Sequence, residues 1–270
     1  MIEFIMLIKL QRKRDFWHFG GEENERNLFA QPRICIDLEG DEVSADTMSR
    51  VIRVRTDTGV YYVKYYWGGG KRLRRFIGRS RAQGEWENLE YFSALGIPTP
   101  RLVAYGRHTC AGEQREVLVT AEVENARDLA TLARGKPEYF VQRDWILEVM
   151  HQVADYARRL HRDGFVHWDM KWRNILVQGK AEPRVFFFDC PLGRHWHGGL
   201  QRRGAIKDLG NLELGAREVM TRAQRLRFLL LYRQEERLTP AAKRQIRRIY
   251  VFLDSKARRR AKRRKYADQA

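Results

Sequence analysis

The sequence predicts an α+β fold in two parts: a β-rich first part holding one main helix, and an α-helical second part. Two observations carry this. From Arg33 to Glu122 short runs of β-formers alternate with turns, the densest being Val60-Tyr61-Tyr62-Val63-Lys64-Tyr65-Tyr66. Beyond Asp128 apolar residues recur at helical spacing, first as Ile146, Val149, Met150, Val153, Ala157 and Leu160. Two such parts in this order are the layout of two lobes around a cleft. The expected organisation is an N-terminal extension (1–32), a first lobe (33–122), a second lobe (123–255) and a basic tail (256–270).

Each element has a local reason. Val51 to Arg55 alternates as a half-buried strand does, and Glu116 to Ala121 is a compact apolar run. In the tyrosine-rich run Val60, Tyr62, Lys64 and Tyr66 share one face by the two-residue period. The main helix of the first part is expected from about Arg81 to Leu95, where Gly96 and Pro98 end it. Within it Glu85, Leu89 and Phe92 fall on one face, whereas Glu87 points elsewhere. In the second part Gly164 stops the long helix that contains Ile146 to Leu160. Two short strands follow, Ile175-Leu176-Val177 and Val185-Phe186-Phe187-Phe188, joined at Gln178-Gly179-Lys180. Helices fill the remainder, with Thr239-Pro240 as cap and first position of a late one.

Composition bounds the function. A chain of 270 residues that is 43% hydrophobic can bury a sizeable core. Its net charge of +18 falls only to +10 when the eight basic residues between Lys256 and Lys265 are removed, so the body is basic as well as the tail. Such a surface seeks polyanions: nucleic acid, anionic lipid head groups or a phosphorylated substrate. Cys35, Cys110 and Cys190 form neither a disulfide framework nor a metal pattern, which points to a reducing compartment. The apolar opening Met1–Ile8 carries Glu3 and runs straight into Gln11-Arg12-Lys13-Arg14, unlike a secretory signal. No run approaches the roughly 20 apolar residues of a membrane span. The expected location is therefore cytoplasmic, with peripheral membrane contact.

The chemistry is concentrated in His167-Trp168-Asp169-Met170-Lys171-Trp172-Arg173-Asn174 and, later, Phe186-Phe187-Phe188-Asp189. Asp169 and Asn174 stand five apart, and Asp189 follows Asn174 by fifteen. That order suits phosphoryl transfer of the kinase type. Asp169 would align an acceptor hydroxyl and take its proton. Lys171 would offset charge on the transferred phosphate. Asn174 and Asp189 offer hard oxygens for Mg²⁺ held with ATP. Each residue alone reads more simply as a cap or turn residue; the joint order, on a helix-turn-strand-turn-strand frame, is what carries chemistry. His167 is expected to brace the catalytic turn. Upstream, Lys64 is a charge in mid-strand, and paired with Glu85 it would face the α- and β-phosphates. The plain alternative for Lys64 is an edge-strand lysine. The segment Thr120–Glu124, with Glu122 at its centre, lies where backbone groups would meet adenine.

With these residues in view, the chain resembles the lipopolysaccharide-core kinases, the Kdo and heptose kinases of Gram-negative bacteria, a branch of the protein-kinase-like superfamily. The likeness rests on Val63–Gly70, on Glu85–Leu89 running into Leu95–Gly106, and on His167–Asn174 with Asp189 and Ile206-Lys207-Asp208-Leu209. It implies a bilobal protein-kinase-like fold and transfer of the ATP γ-phosphate to a heptose or Kdo hydroxyl of lipid-linked core oligosaccharide. The reaction would take place on the cytoplasmic face of the inner membrane. The resemblance also implies that Asp208 braces the catalytic loop.

Departures from the kinase pattern are specific. No Gly-x-Gly-x-x-Gly precedes Lys64, so the phosphate-covering turn is expected at Gly40–Ala45. Gly68-Gly69-Gly70-Lys71 lacks the following Ser or Thr of a P-loop and reads as a connector. Asp189-Cys190-Pro191 stands in place of Asp-Phe-Gly, and Pro191 argues against a mobile switch. Trp168 occupies a position where many kinases have Arg. The anionic membrane surface is an expected partner through the tail, through Lys71–Arg75 and through the apolar opening. No obligate protein partner is expected. The alternatives are an atypical protein kinase and a degenerate kinase fold that binds lipid or nucleic acid. Nucleic acid is disfavoured because the Trp and Tyr residues sit mostly inside patterned elements.

Overall fold

Period-two alternation places the tyrosine-rich run inside an antiparallel sheet with two different faces. The computed structural model describes residues 15–67, 79–110 and 113–267. The opening residues Met1–Ile8, the glycine run 68–70 and the basic cluster 71–75 lie outside them. The chain forms two compact units. One comprises residues up to Ala94 together with Thr99–Glu124, the other Leu95–Pro98 with Asn125 onward.

The first unit is built on six strands: β1 (Phe16–Phe19), β2 (Asp41–Ala45), β3 (Ser49–Thr56), β4 (Gly59–Trp67), β5 (Leu102–Cys110) and β6 (Glu113–Ala121). Their order across the sheet is β1-β5-β6-β4-β3-β2, and every pairing is antiparallel. Tyr61, Val63 and Tyr65 of β4 turn to one face and bury against Phe29, Ile52, Val103 and Val119. That face is covered by two short helices, α1 (Arg26–Phe29) and α2 (Pro32–Ile36). Tyr66, on the opposite face, packs with Trp86 and Leu118 beneath α3 (Arg81–Ala94). Lys64 points to that α3 side by the same alternation. Helix α3 ends where Gly96 takes φ +69°, the left-handed conformation glycine adopts without Cβ strain.

Three features of this unit differ from the sequence reading. Phe16–Phe19, in the stretch read as an extension, is the edge strand β1 and pairs with Ala104–Arg107. Pro32–Ile36 is helical inside a region read as short strands, with proline in its first turn. Asp41–Ala45, within the expected phosphate-covering turn, is the exposed edge strand β2, bulged between Glu42 and Ser44. β2 and β3 are joined by the turn Asp46–Met48, where Asp46 Oδ1 accepts the amides of Met48 and Ser49 at 2.7 Å each.

The second unit is mostly helical. It contains β7 (Arg127–Asp128), α4 (Leu129–Gly135), α5 (Arg143–Arg162), β8 (Phe165–Val166), β9 (Ile175–Gln178), β10 (Arg184–Phe187), β11 (Arg194–His195), α6 (Gly198–Val219), α7 (Arg222–Arg233) and α8 (Pro240–Ala267). The predicted stripe on α5 is buried from Ile146 to Leu160, and Gly164 stops the helix at φ +78°. Thr221 and Gln224 form a reciprocal capping box at the start of α7. Thr239 Oγ1 accepts the Ala242 amide at 3.1 Å and so caps α8. Leu209 of α6 buries with Ile249 and Leu253 of α8. These two helices approach closely because residue 210 is glycine: a Cβ there would sit 2.5 Å from Phe252 Cδ1. The basic run from Lys256 continues α8 rather than leaving it. Among the described residues no helix is long and apolar enough to cross a membrane.

Candidate active site

The residues predicted to carry chemistry fall into two sets, one in each unit. In the first unit Lys64 is fixed in mid-strand, opposite Val51 of β3 and Leu118 of β6. Its Nζ donates to Glu85 Oε2 at 2.9 Å, and the Tyr66 hydroxyl donates to the same oxygen. Glu85 is 4% exposed, so its charge is neutralised where water cannot reach it. Helical phase explains why Glu85 makes this pair: Glu87, two residues on, turns away to Arg79 at 2.8 Å and Gln83 at 2.7 Å.

Glu122 is engaged differently. Its carboxylate takes a two-pronged contact from Arg53, at 2.8 and 2.9 Å, and a 3.2 Å bond from the Tyr62 hydroxyl. The Arg53 guanidinium holds that carboxyl below the usual range, against the opposing effect of burial. The Glu122 amide donates to the Val60 carbonyl at 2.8 Å. The polar group of Glu122 left over from these contacts is its carbonyl oxygen.

In the second unit the register of one hairpin does the assembling. β9 and β10 pair antiparallel with Ile175 opposite Phe187. One step further, the Phe188 amide donates to the Asn174 carbonyl at 3.2 Å. Asn174 and Asp189 are therefore brought to the same end of the ribbon, although fifteen residues separate them in sequence. Asp189 takes φ +54°, in the left-handed region, two residues beyond the end of β10. Asn174 is buried, and its Nδ2 donates to the Asp169 carbonyl at 2.9 Å. That bond uses the donor end of the amide, leaves Oδ1 as its acceptor, and ties Asn174 to the residue expected to meet the acceptor hydroxyl. Asp169 Oδ1 lies 2.5 Å from Lys171 Nζ, and Asp169 Oδ2 lies 3.6 Å from Arg173 Nη2.

The loop before Asp169 is braced from α6. Asp208, fully buried, accepts the His167 amide at 2.9 Å and the Trp168 amide at 3.3 Å on Oδ2. Trp168 is held at φ +66°, a conformation that costs a large side chain energy and persists only where surroundings enforce it. His167 is 1% exposed, and burial pushes its imidazole below the usual range despite the carboxylates of Asp208, Asp169 and Asp189 nearby. A neutral, inaccessible His167 fits the bracing role and excludes it as a solvent-facing base.

Sequence reasoning missed three participants. His161 Nδ1 bonds the Tyr232 hydroxyl at 2.9 Å while Nε2 lies 3.4 Å from Asp208, which links α5 and α7 to the brace. Lys207 Nζ lies 4.9 Å from the centre of the Trp168 ring. Lys256 Nζ donates to Asn211 Oδ1 at 2.6 Å. The helical spacing of Lys207, Asp208 and Asn211 was visible in the sequence, but the approach of α8 to α6 was not.

Comparison with known proteins bears on the family and the fold. The model of the lipopolysaccharide kinase (Kdo/WaaP) family matches residues 38–232. The 3-deoxy-D-manno-octulosonic acid kinase of Pasteurella multocida is 30% identical over 150 residues, covering 50% of this chain and 59% of that protein. The protein of the same name from Actinobacillus succinogenes is 30% identical over 131 residues, covering 47% and 52%. The chain thus spans about half the length of these curated relatives. The RIO-type serine/threonine-protein kinase Rio1 of Haloferax volcanii is 26% identical over 184 residues, covering 64% and 56%. Among solved structures, WaaP in complex with acyl carrier protein superposes with a TM-score of 0.67 at 21% identity, covering 90% of this chain and 98% of that one. At that identity the likeness establishes the fold: β-rich first part, helical second part. With the family match running from before β2 through α7, the chain belongs to the lipopolysaccharide kinase (Kdo/WaaP) family.

Proposed function

We propose that this protein transfers the γ-phosphate of ATP to a sugar hydroxyl of the lipopolysaccharide inner core, with an acidic core sugar such as 3-deoxy-D-manno-octulosonic acid, or a heptose, as acceptor. The observation that carries the proposal is the β9–β10 register, which sets Asn174 and Asp189 at one ribbon end with Asn174 bonded to Asp169. In this reading Asp169 aligns the acceptor hydroxyl and takes its proton as the oxygen–phosphorus bond forms and the bond to ADP breaks. Lys171 offsets charge on the transferred phosphoryl oxygens. Lys64, steadied by Glu85, serves the α- and β-phosphates, and the Glu122 carbonyl is the group there for adenine.

Asn174 Oδ1 and the Asp189 carboxylate are hard oxygen donors of the type Mg²⁺ takes. Bound there, the ion would supply positive charge against the phosphate oxygens. The test is mass spectrometry of lipopolysaccharide from a deletion strain and from the same strain carrying Asp169→Ala. We expect one core phosphate to be lost in the deletion and not restored by the variant; an unchanged core removes the proposal.

The match to Rio1 supports a protein-kinase reading as the alternative. Against it, Asp189 connects to α6 through only Cys190–His197, a stretch whose second residue is Pro191 and which contains β11. That leaves little chain for a phosphate-controlled platform on which a peptide would dock. Phosphorylation of a protein in place of isolated core glycolipid would decide for the alternative.

Localisation at an anionic inner-leaflet surface belongs to the same proposal and draws on the +18 charge. So does a protein partner. The second unit holds an apolar cavity of about 210 Å³ walled by residues such as Phe140, Met150, Leu212 and Leu229, with Arg222 and Arg225 also lining it. An acyl group has the chemistry to fill it, and acyl carrier protein, seen with WaaP, is the partner to test by co-elution.

A further inference from the structure

Helix α8 repeats one face at Ile249, Leu253, Lys256 and Arg260, spaced four, three and four residues apart. The first two bury against Leu209 of α6. The stripe that packs these helices together therefore turns from apolar to cationic along its length. Gly210 brings Phe252 against the α6 backbone, and one turn later Lys256 reaches Asn211 at 2.6 Å. On α6 itself Lys207 lies one turn before Asn211 and stands over the ring of Trp168, the residue that precedes Asp169.

Both ammonium groups are half-buried, and among the described residues neither has a carboxylate within ion-pair distance. For Lys207, burial pushes the ammonium below the ordinary lysine range; Asp208 and Asp169 oppose this, while Lys171 and Arg203 add to it. For Lys256 burial again leads, followed by the positive charges of Arg260, Lys171 and Lys207, with Asp169 opposing. Lys171 already pairs with Asp169, and Asp208 Oδ2 is taken by the loop amides. Desolvated like charges left without a counter-ion are costly, and clusters of this kind mark places where an anionic ligand completes the charge balance.

We infer that Lys207 and Lys256, on α6 and α8, form an anion subsite beside Asp169 that holds an acidic group of the acceptor and so sets which hydroxyl meets the catalytic carboxylate. The inference rests on the kinase reading above and goes beyond it by naming specificity-determining residues outside the kinase motif. The ligand chemistry is a carboxylate or phosphate carried by the acceptor sugar. Lys256 acts here as part of the acceptor subsite, whereas the rest of the basic run is left for other surfaces.

The test uses the full chain and three forms of isolated inner-core glycolipid: native, carboxyl-amidated and enzymatically dephosphorylated. Equilibrium binding is measured first, without turnover, for wild type, Lys207→Met, Lys256→Met and the corresponding Lys→Arg variants. We expect wild type to bind the native form about tenfold or more tightly than one of the two neutralised forms, the scale of a charge-assisted contact. Which form loses affinity identifies carboxylate or phosphate as the anion. Each Met variant should lose that preference, and each Arg variant should keep most of it. Equal binding of all three forms by wild type overturns the inference. So does a variant that loses as much affinity for the neutralised acceptor as for the native one, since that marks a merely structural role. Turnover with ATP is then read separately: KM for the acceptor should rise in the Met variants while KM for ATP holds. A wild type that shows the binding preference but transfers no phosphate defeats the kinase reading and leaves the subsite standing.

Discussion

At the scale of single residues, the site joins groups with opposite requirements. In its proposed role Asp169 must remain reachable, whereas His167, two positions earlier, is sealed away and neutral. Replacing Asp169 by Ala should lower turnover by about 10²- to 10⁴-fold, the usual worth of a positioned base, with little change in KM for ATP. Steady-state kinetics with core glycolipid check this. His167 makes a pH prediction whose sign is fixed. Its folded value lies below the ordinary 6.5, so in acid the unfolded chain takes up the proton more readily than the folded one. Stability is therefore intact above about pH 6.5 and is lost as pH falls below it. A melting series from neutral to mildly acidic pH should show the decline, and His167→Gln should flatten it. The candidate site was legible at this scale because few functions need an acid, an amide and a second acid in that order. Lys64 was legible for a similar reason: a charge in mid-strand needs a partner, and helical phase chose Glu85 over Glu87. Glu122 was less so, since its side-chain and amide contacts come from Arg53, Tyr62 and Val60, all distant in sequence.

Elements were readable where their period was strong. The α5 stripe and the β4 alternation follow from apolar spacing alone. β2 was hidden because all five of its residues are exposed, leaving no alternation to detect. β1 was hidden because four residues are too few to show a period. The joining of α6 to α8 is a third case. It turns on Gly210, whose role depends on Phe252 lying opposite, a fact of tertiary packing rather than of sequence pattern. Gly210→Val should force the two helices apart and cost about 1–3 kcal/mol, the range for overpacking a filled interface. Urea denaturation of the variant would read this as a lower midpoint with an unchanged slope.

For the whole molecule, charge was the most legible property and its distribution the least. Eight basic residues between Lys256 and Lys265 look like one block in the sequence. The structure puts them on a continuous helix whose first cation is turned inward and bonded to Asn211. Truncation should separate the roles. Ending the chain after Ala261 removes Lys262, Arg263, Arg264 and Lys265 but keeps Lys256 and Arg260. Flotation on vesicles rich in anionic lipid should weaken by about 1 kcal/mol for each cation lost that lies near the surface, while acceptor binding in solution is retained. Flotation indifferent to lipid charge and to the truncation would remove the membrane-docking part of the proposal.

The stacking of Lys207 on Trp168, itself edge-on to Trp196 with ring centres 5.9 Å apart, has a practical corollary. An indole with a cation over its face, one residue from Asp169, is a spectroscopic gauge the protein already owns. Drawing the ammonium toward an incoming anion would change the field on the indole and hence its emission colour, and Trp168→Phe would silence the signal. Acceptor arrival could then be timed by stopped-flow fluorescence without attaching any dye.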